Sequence, residues 1–86
     1  MQITSAEEAI NEFETLTWSE SGMGGSAHHG TIRTRRQDGT SRTPRGILTE
    51  LRRKHLALTV STPDNRCVPA LGVYRYDRPD GSSYLV

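Results

Sequence analysis

The residues best suited to chemistry in this chain are positively charged and lie close together. Residues 31–55, TIRTRRQDGTSRTPRGILTELRRKH, hold 8 of the 11 Lys and Arg residues, and only Asp38 and Glu50 interrupt them. A guanidinium group can bind phosphate or carboxylate oxygens through two parallel hydrogen bonds. The candidate binding residues of this basic segment (residues 31–55) are Arg33, Arg35, Arg36, Arg42, Arg45, Arg52, Arg53 and Lys54. The segment predicts a surface for DNA, for RNA or for an acidic protein.

Charge is distributed unevenly along the chain, although the net charge is only +1. Residues 1–32 hold five glutamates and no Lys or Arg, which gives −5. Residues 33–66 hold nine basic and three acidic side chains, which gives +6. Such asymmetry indicates a nucleic-acid or acidic partner. The alternative is that the acidic N-terminal segment folds onto the basic segment and neutralises it.

Three histidines and one cysteine are the other chemically capable side chains. His28 and His29 are adjacent in a glycine-rich stretch, and this arrangement lacks the spacing of zinc ligands. His55 is expected to pack at the end of a helix, and Cys67 to behave as a small apolar residue. The sequence therefore predicts no catalytic motif, no metal site and no cofactor.

The stretch GSAHHG, residues 25–30, is similar to the glycine-serine-histidine stretch of HicA-type messenger-RNA-cleaving toxins. The similarity covers six residues of 86 and departs from the toxins where Ala27 separates Ser26 from His28. The resemblance implies a ribonuclease in which His28 or His29 is the base and nearby arginines bind phosphate. This function is a lesser alternative to a non-enzymatic protein.

Length and composition limit the size of the core. A chain of 86 residues with 33% apolar residues predicts one domain, residues 1–86, with a small core. A homodimer is also expected to be possible, because association would bury more apolar surface.

The sequence has no apolar run long enough to span a membrane, and its first residues do not resemble a secretory signal. A single cysteine favours a reducing compartment. A soluble, cytoplasmic protein that binds no membrane is expected.

Helical periodicity predicts two amphipathic helices. The first covers about residues 6–16, where Ser5 and Glu8 form a capping-box pattern. The second begins with Thr43 as N-cap and Pro44 in the first helical position, and ends before Leu56. Its apolar side holds Ile47, Leu48, Leu51 and His55.

Strand periodicity predicts a small, mainly antiparallel sheet. Residues 30–36 alternate, with Ile32 and Thr34 on one side and arginines on the other. A three-strand meander is predicted from residues 56–61, 71–76 and 84–86, with turns at 62–65 and 78–81. Asp38-Gly39 predicts another turn. Residues 19–30 are predicted to form a flexible glycine-rich loop. The predicted fold is α+β, with two amphipathic helices packed on this sheet in the approximate order α-β-α-β-β-β.

These patterns favour a small non-enzymatic regulatory protein that binds nucleic acid through an Arg-rich strand, loop and helix surface. A winged-helix domain also places a basic helix before a hairpin, whose tip here holds Arg66. That interpretation is incomplete, because residues 33–42 do not predict the supporting helix. The close alternative is a small inhibitor or adaptor of the phage-encoded type, anti-CRISPR-like or polymerase-binding, that docks on a nucleic-acid enzyme of its host.

Overall fold

Two helices pack against an antiparallel sheet, which confirms the predicted α+β class. The computed structural model describes residues 5–20, 29–54, 58–73, 75–77 and 79–85. The order of elements agrees approximately with the predicted one and adds a strand after the first helix. The elements are α1 (Ala6–Glu12), β1 (Thr15–Glu20), β2 (His29–Arg33), α2 (Pro44–Lys54), β3 (Leu58–Ser61), a 3₁₀ helix (Pro69–Leu71), β4 (Arg75–Asp77) and β5 (Ser83–Leu85).

The three-stranded sheet has the order β2-β1-β3, and both pairs are antiparallel. Leu16 of β1 lies opposite Ile32 of β2, and both are buried. Because side chains alternate along a strand, these two residues define the inner face of the sheet. Leu58 and Val60 of β3 are buried with them. The predicted alternation of Ile32 and Thr34 is confirmed, since both side chains are buried.

Helix α1 is shorter than the predicted helix over residues 6–16. It ends at Glu12, and Phe13 adopts an extended backbone as its C-cap. The Thr34 hydroxyl donates to the Phe13 carbonyl, so a side chain from another segment binds the chain where it leaves the helix. Leu16 is buried on β1 instead of on a helix. The Ser5 side chain accepts from the Glu8 amide at 3.2 Å, as its capping position predicts.

The predicted meander is confirmed in the pairing of its last two strands and wrong in the pairing of its first strand. Strand β3 pairs with β1, and among the described residues only two isolated bridges, Leu58 to Val73 and Ser61 to Cys67, join β3 to the segment that follows it. Pro69 has no backbone N–H to extend a ladder, and it begins the 3₁₀ helix instead. Strands β4 and β5 form a separate antiparallel pair. The predicted turn at 62–65 is present, because the Asn65 amide donates to the Thr62 carbonyl at 2.9 Å.

The outermost positions of the predicted glycine-rich loop at 19–30 belong to strands. Residues 19 and 20 belong to β1, and residues 29 and 30 belong to β2, so four of its positions are strand. Residues 21–28 lie outside the described part of the chain, as does His55. His29 is exposed at the start of β2, where it faces Ser19 across the ladder.

The core lies between the inner face of the sheet and the two helices. Its fully buried side chains come from both helices, all three strands of the sheet and the segment that follows β3. Phe13, Trp18 and Leu48 pack at its margin. The core residues are Ala6, Ala9, Ile10, Leu16, Ile32, Ile47, Leu51, Leu58, Val60, Val68, Leu71 and Val73. Among the described residues, neither helix has the length and apolar character that would be needed to cross a membrane.

Helix α2 begins as predicted. The Thr43 hydroxyl accepts from the Gly46 amide at 3.1 Å, and the Thr43 carbonyl accepts from the Ile47 amide at 3.1 Å. Pro44 occupies the first helical position, where its missing N–H costs nothing. Ile47 and Leu51 are buried and Leu48 is half-buried. The opposite side of the helix is therefore presented to solvent.

Replacing Thr43 by alanine is expected to lower the free energy of unfolding by about 1 kcal/mol, because the Gly46 amide loses its capping partner. Urea unfolding followed by circular dichroism measures the loss. Thr43→Ser keeps the hydroxyl and is expected to stay within a few tenths of the wild-type value. Equal stability of the alanine and serine variants would show that the cap contributes nothing.

Candidate nucleic-acid interface

The eight predicted binding residues lie in three neighbouring segments. Arg33 ends β2, and Arg35 bridges to Ser41 across a short hairpin over residues 35–41. Arg36 lies in this hairpin and Arg42 follows it. Helix α2 carries Arg45, Arg52, Arg53 and Lys54, although the Lys54 side chain lies outside the description. The described guanidinium groups fall into two classes, those bound within the protein and those that face solvent.

Arg35 is bound within the protein. Its Nη1 donates to the carbonyl of Ile10, and its Nη2 donates to the carbonyl of Asn11 at 2.8 Å. Nη1 also donates to the Thr34 hydroxyl at 3.0 Å. The last carbonyls of a helix lack partners in the helix and carry a partial negative charge. Arg35 satisfies them at the end of α1, so its charge already has a structural partner.

Arg42 joins the end of β2 to α2. Its Nη1 donates to the Arg33 carbonyl at 3.1 Å, and its Nη2 donates to the Glu50 carboxylate at 2.9 Å and to the Gly46 carbonyl at 3.4 Å. The ion pair with Glu50 offsets the Arg42 charge. Arg42 is thus a structural residue of this surface, although the sequence predicts it as a binding residue.

Arg36 is exposed but held by its own hairpin. Its Nη1 donates to the Ser41 carbonyl at 2.7 Å and to the Thr40 hydroxyl at 3.1 Å. The hydroxyl and the amide of Thr40 both donate to Asp38, and these bonds, together with the nearby Arg36 charge, hold the pKa of the Asp38 carboxyl below its ordinary value of 3.8. Gly39 has φ 86°, a conformation that favours glycine, and it closes the predicted turn. Arg36 is therefore fixed in position with part of its charge offset.

Four guanidinium groups remain uncompensated. Arg33, Arg45, Arg52 and Arg53 are exposed, and none forms an ion pair or side-chain hydrogen bond with another described residue. Arg45 and Arg52 lie with Thr49 on the side of α2 opposite Ile47 and Leu51, as the helical periodicity predicts. We refer to Arg33, Arg36, Arg45, Arg52 and Arg53 as the arginine surface.

The acidic N-terminal helix does not neutralise the arginine surface. Glu7 and Glu8 are exposed, and neither pairs with a described cation. Glu12 pairs with Arg66 at 3.2 Å, outside the basic segment. The Arg66 guanidinium also pairs with Asp64 and lies 5.5 Å from the centroid of the Phe13 ring. The three glutamates of α1 therefore do not offset the charge of the arginine surface.

A pocket of about 270 Å³ lies beside the arginine surface. It opens where β1 begins, β2 ends and the 35–41 hairpin turns back. Two of its lining residues, Thr15 and Arg33, are partners in the β1–β2 ladder. The lining residues are Glu14, Thr15, Arg33, Arg35, Arg36, Gln37 and Gly39. The lining combines three arginines with one acidic residue, one glutamine and one threonine.

The outer face of the three-stranded sheet is polar and meets this pocket at Thr15 and Arg33. Cross-strand partners point to the same side of a sheet. The residues of this face are exposed or half-buried, and most carry a hydroxyl group: Thr15, Thr17, Ser19, His29, Thr31, Arg33, Thr59 and Ser61. Hydroxyl groups can donate to phosphate oxygens or to base acceptors. The face therefore extends the polar surface next to the arginines.

Sequence reasoning identified the arginines and missed the pocket. Glu14 and Gln37 lie 23 positions apart in the chain and meet only because β1 and β2 pair. The available signal was the alternation in TLTWSE, where threonine and serine occupy every second position. Extending that strand alongside residues 29–33 would have placed Thr15 beside Arg33.

The winged-helix and toxin-like interpretations depend on residues outside the arginine surface. The structure adds no supporting helix for a winged-helix domain, because residues 35–41 form a hairpin and Arg66 pairs with Glu12 of α1 and with Asp64. Within the described ranges, no group of three His, Cys, Asp or Glu side chains is arranged to hold a metal ion. Of the two histidines in the toxin-like stretch, His29 is described and His28 is not.

Comparison of this chain with protein-family models, with curated proteins and with solved structures finds no match. Function is therefore inferred from the arginine surface and the pocket themselves.

Proposed function

We propose that this protein binds nucleic acid through the arginine surface. The observation that supports the proposal is the division of the predicted arginines into two classes. Arg35 and Arg42 are bound to carbonyl and carboxylate groups of the protein, whereas Arg33, Arg45, Arg52 and Arg53 are exposed without a described partner. The first two position the surface, and the others are available to phosphate.

Exposed arginines without partners inside the protein give affinity for polyanions. Each guanidinium that neutralises a phosphate releases condensed counterions, so binding weakens as salt rises. The effect depends little on base sequence. Arginine adds bidentate geometry and stacking on bases, which a lysine surface lacks. All five members of the arginine surface, as its name states, are arginines and not lysines.

The test is fluorescence anisotropy with labelled duplex DNA and labelled single-stranded RNA, at low and at physiological salt. Single changes of Arg33, Arg45, Arg52 or Arg53 to alanine are each expected to weaken binding about three- to tenfold. Each is also expected to reduce the logarithmic salt slope on duplex DNA by about 0.9, because one phosphate contact is lost. Arg45→Lys is the matched control, since it keeps the charge and the slope.

Binding that disappears at physiological salt, or that is equal in wild type and all four variants, would contradict the proposal. The arginine surface would then be a solvated surface or a docking site for an acidic protein, as in the inhibitor hypothesis. RNA that remains intact after the measurement excludes the ribonuclease alternative under those conditions. RNA that is cleaved, with cleavage lost in His28→Ala or His29→Ala, supports it.

A further inference from the structure

The lining of the pocket beside the arginine surface includes an acidic residue, Glu14, that phosphate binding does not explain. Glu14 lines the pocket, is exposed, and forms no ion pair with a described residue. An ionised carboxylate repels phosphate, so a site for phosphate alone gains nothing from it. Arg33 and Arg36 line the same pocket. The ligand that fits carries hydrogen-bond donors for Glu14 and a negative charge for the arginines.

We infer that the pocket binds an unpaired guanine of single-stranded nucleic acid, an inference that rests on the proposed function. Guanine presents two adjacent donors, N1–H and the N2 amino group, which match the two oxygens of one carboxylate. Adenine and cytosine each place one amino group beside an acceptor nitrogen, and uracil places one N–H between two carbonyls. Only guanine, among these bases, offers a carboxylate two parallel hydrogen bonds.

The other lining groups suit the rest of a guanine nucleotide. The Gln37 amide can donate to the O6 acceptor of the base. Arg33 and Arg36 face the flanking phosphate, and the bonds from Arg36 to Ser41 and Thr40 hold its guanidinium in place before ligand arrives. The pocket volume of about 270 Å³ lies just below the usual range for small-molecule pockets, which limits the ligand to about the size of a single nucleotide.

Recognition of this kind requires single-stranded nucleic acid, because base pairing occupies the N1–H and N2 donors of guanine. Proteins that read RNA by sequence bind unstacked bases on the same Watson–Crick edge. The arginine surface then binds the neighbouring phosphates without regard to sequence. One site supplies preference for a base and the other supplies general affinity.

The test compares two labelled oligouridine probes that differ at one central position, guanine in one and adenine in the other. Wild-type protein is expected to bind the guanine probe about tenfold more tightly, the discrimination that a bidentate base contact gives. Glu14→Gln is expected to remove this preference while binding of the adenine probe is maintained or strengthened, because a negative charge is lost. Glu8→Gln, the same change at an exposed position outside the pocket, is expected to keep the preference.

The outcomes separate the two proposals. Equal binding of both probes by wild-type protein, or a guanine preference that survives Glu14→Gln, would overturn the guanine site and leave nucleic-acid binding intact. Failure of every probe and of duplex DNA to bind would overturn the proposed function itself. Circular dichroism of each variant is the control for folding. Glu14→Gln is expected to keep the fold, because Glu14 is exposed and makes no side-chain bond to a described residue.

Discussion

Replacing Arg35 by methionine is expected to lower the free energy of unfolding by about 2–4 kcal/mol. Methionine keeps the length and the apolar stem of the side chain but removes every donor. The carbonyls of Ile10 and Asn11 at the end of α1, together with the Thr34 hydroxyl, then lose a charged donor. Hydrogen bonds from charged groups stabilise a fold more than neutral ones, and Arg35 makes several in a half-buried position.

Urea unfolding monitored by circular dichroism measures this effect. Arg33→Met is the matched control, because Arg33 is two positions away, exposed, and without a described side-chain partner. Its stability is expected to change by no more than about 0.5 kcal/mol, as for other exposed substitutions. If both variants were equally stable, Arg35 would be a member of the arginine surface and not a structural residue.

Replacing Gly30 by alanine is expected to lower the free energy of unfolding by about 1–3 kcal/mol, the usual cost of overpacking. A methyl group at Gly30 would lie 2.6 Å from Cζ2 and 2.8 Å from Cε2 of Trp18, its partner in the β1–β2 ladder. The indole ring is rigid, and it packs against the core. The ring or the strand must therefore move.

A double-mutant cycle isolates this contact. Trp18→Leu removes the ring, so Gly30→Ala is expected to cost less in that background than in the wild type, with a coupling of about 1 kcal/mol or more. Thr31→Ala, a substitution at the exposed neighbouring position, serves as the control for changes in β2. A Gly30→Ala cost that is unchanged when the ring is absent would show that the close approach is not its cause.

Local signals were enough to predict the class of fold and the start of both helices. Ser5 and Thr43 cap as their positions predict, because capping is decided by residues three positions apart. Strand pairing depends on partners that local periodicity does not specify. Leu16 continues the helical pattern of α1, yet it is buried on β1 opposite Ile32, 16 positions further along the chain. The predicted pairing of the first meander strand was wrong for the same reason, whereas β4 and β5 pair as predicted.

In the candidate site, too, local sequence signals predicted some residues correctly and could not predict the partners of others. The wheel of α2 placed Arg45 and Arg52 on the solvent side, since helical periodicity needs no tertiary information. Arg35 and Arg36 are neighbours in the sequence and chemically identical, yet the first binds carbonyls 25 and 24 positions away and the second binds its own hairpin. Composition could not distinguish a structural arginine from an available one. That distinction required the fold.

The bonds of Arg42 have a consequence for the strength of binding. By joining the Arg33 carbonyl to Glu50, this side chain holds the end of β2 and helix α2 as one body. Under the proposed function, a nucleic-acid strand bound at α2 would meet Arg33 and the pocket at a high effective concentration. The second contact would then cost little conformational entropy, because the bonds of Arg42 already fix the two regions relative to each other. The proposed function thus gives Arg42 a role in affinity, although its side chain is bound within the protein.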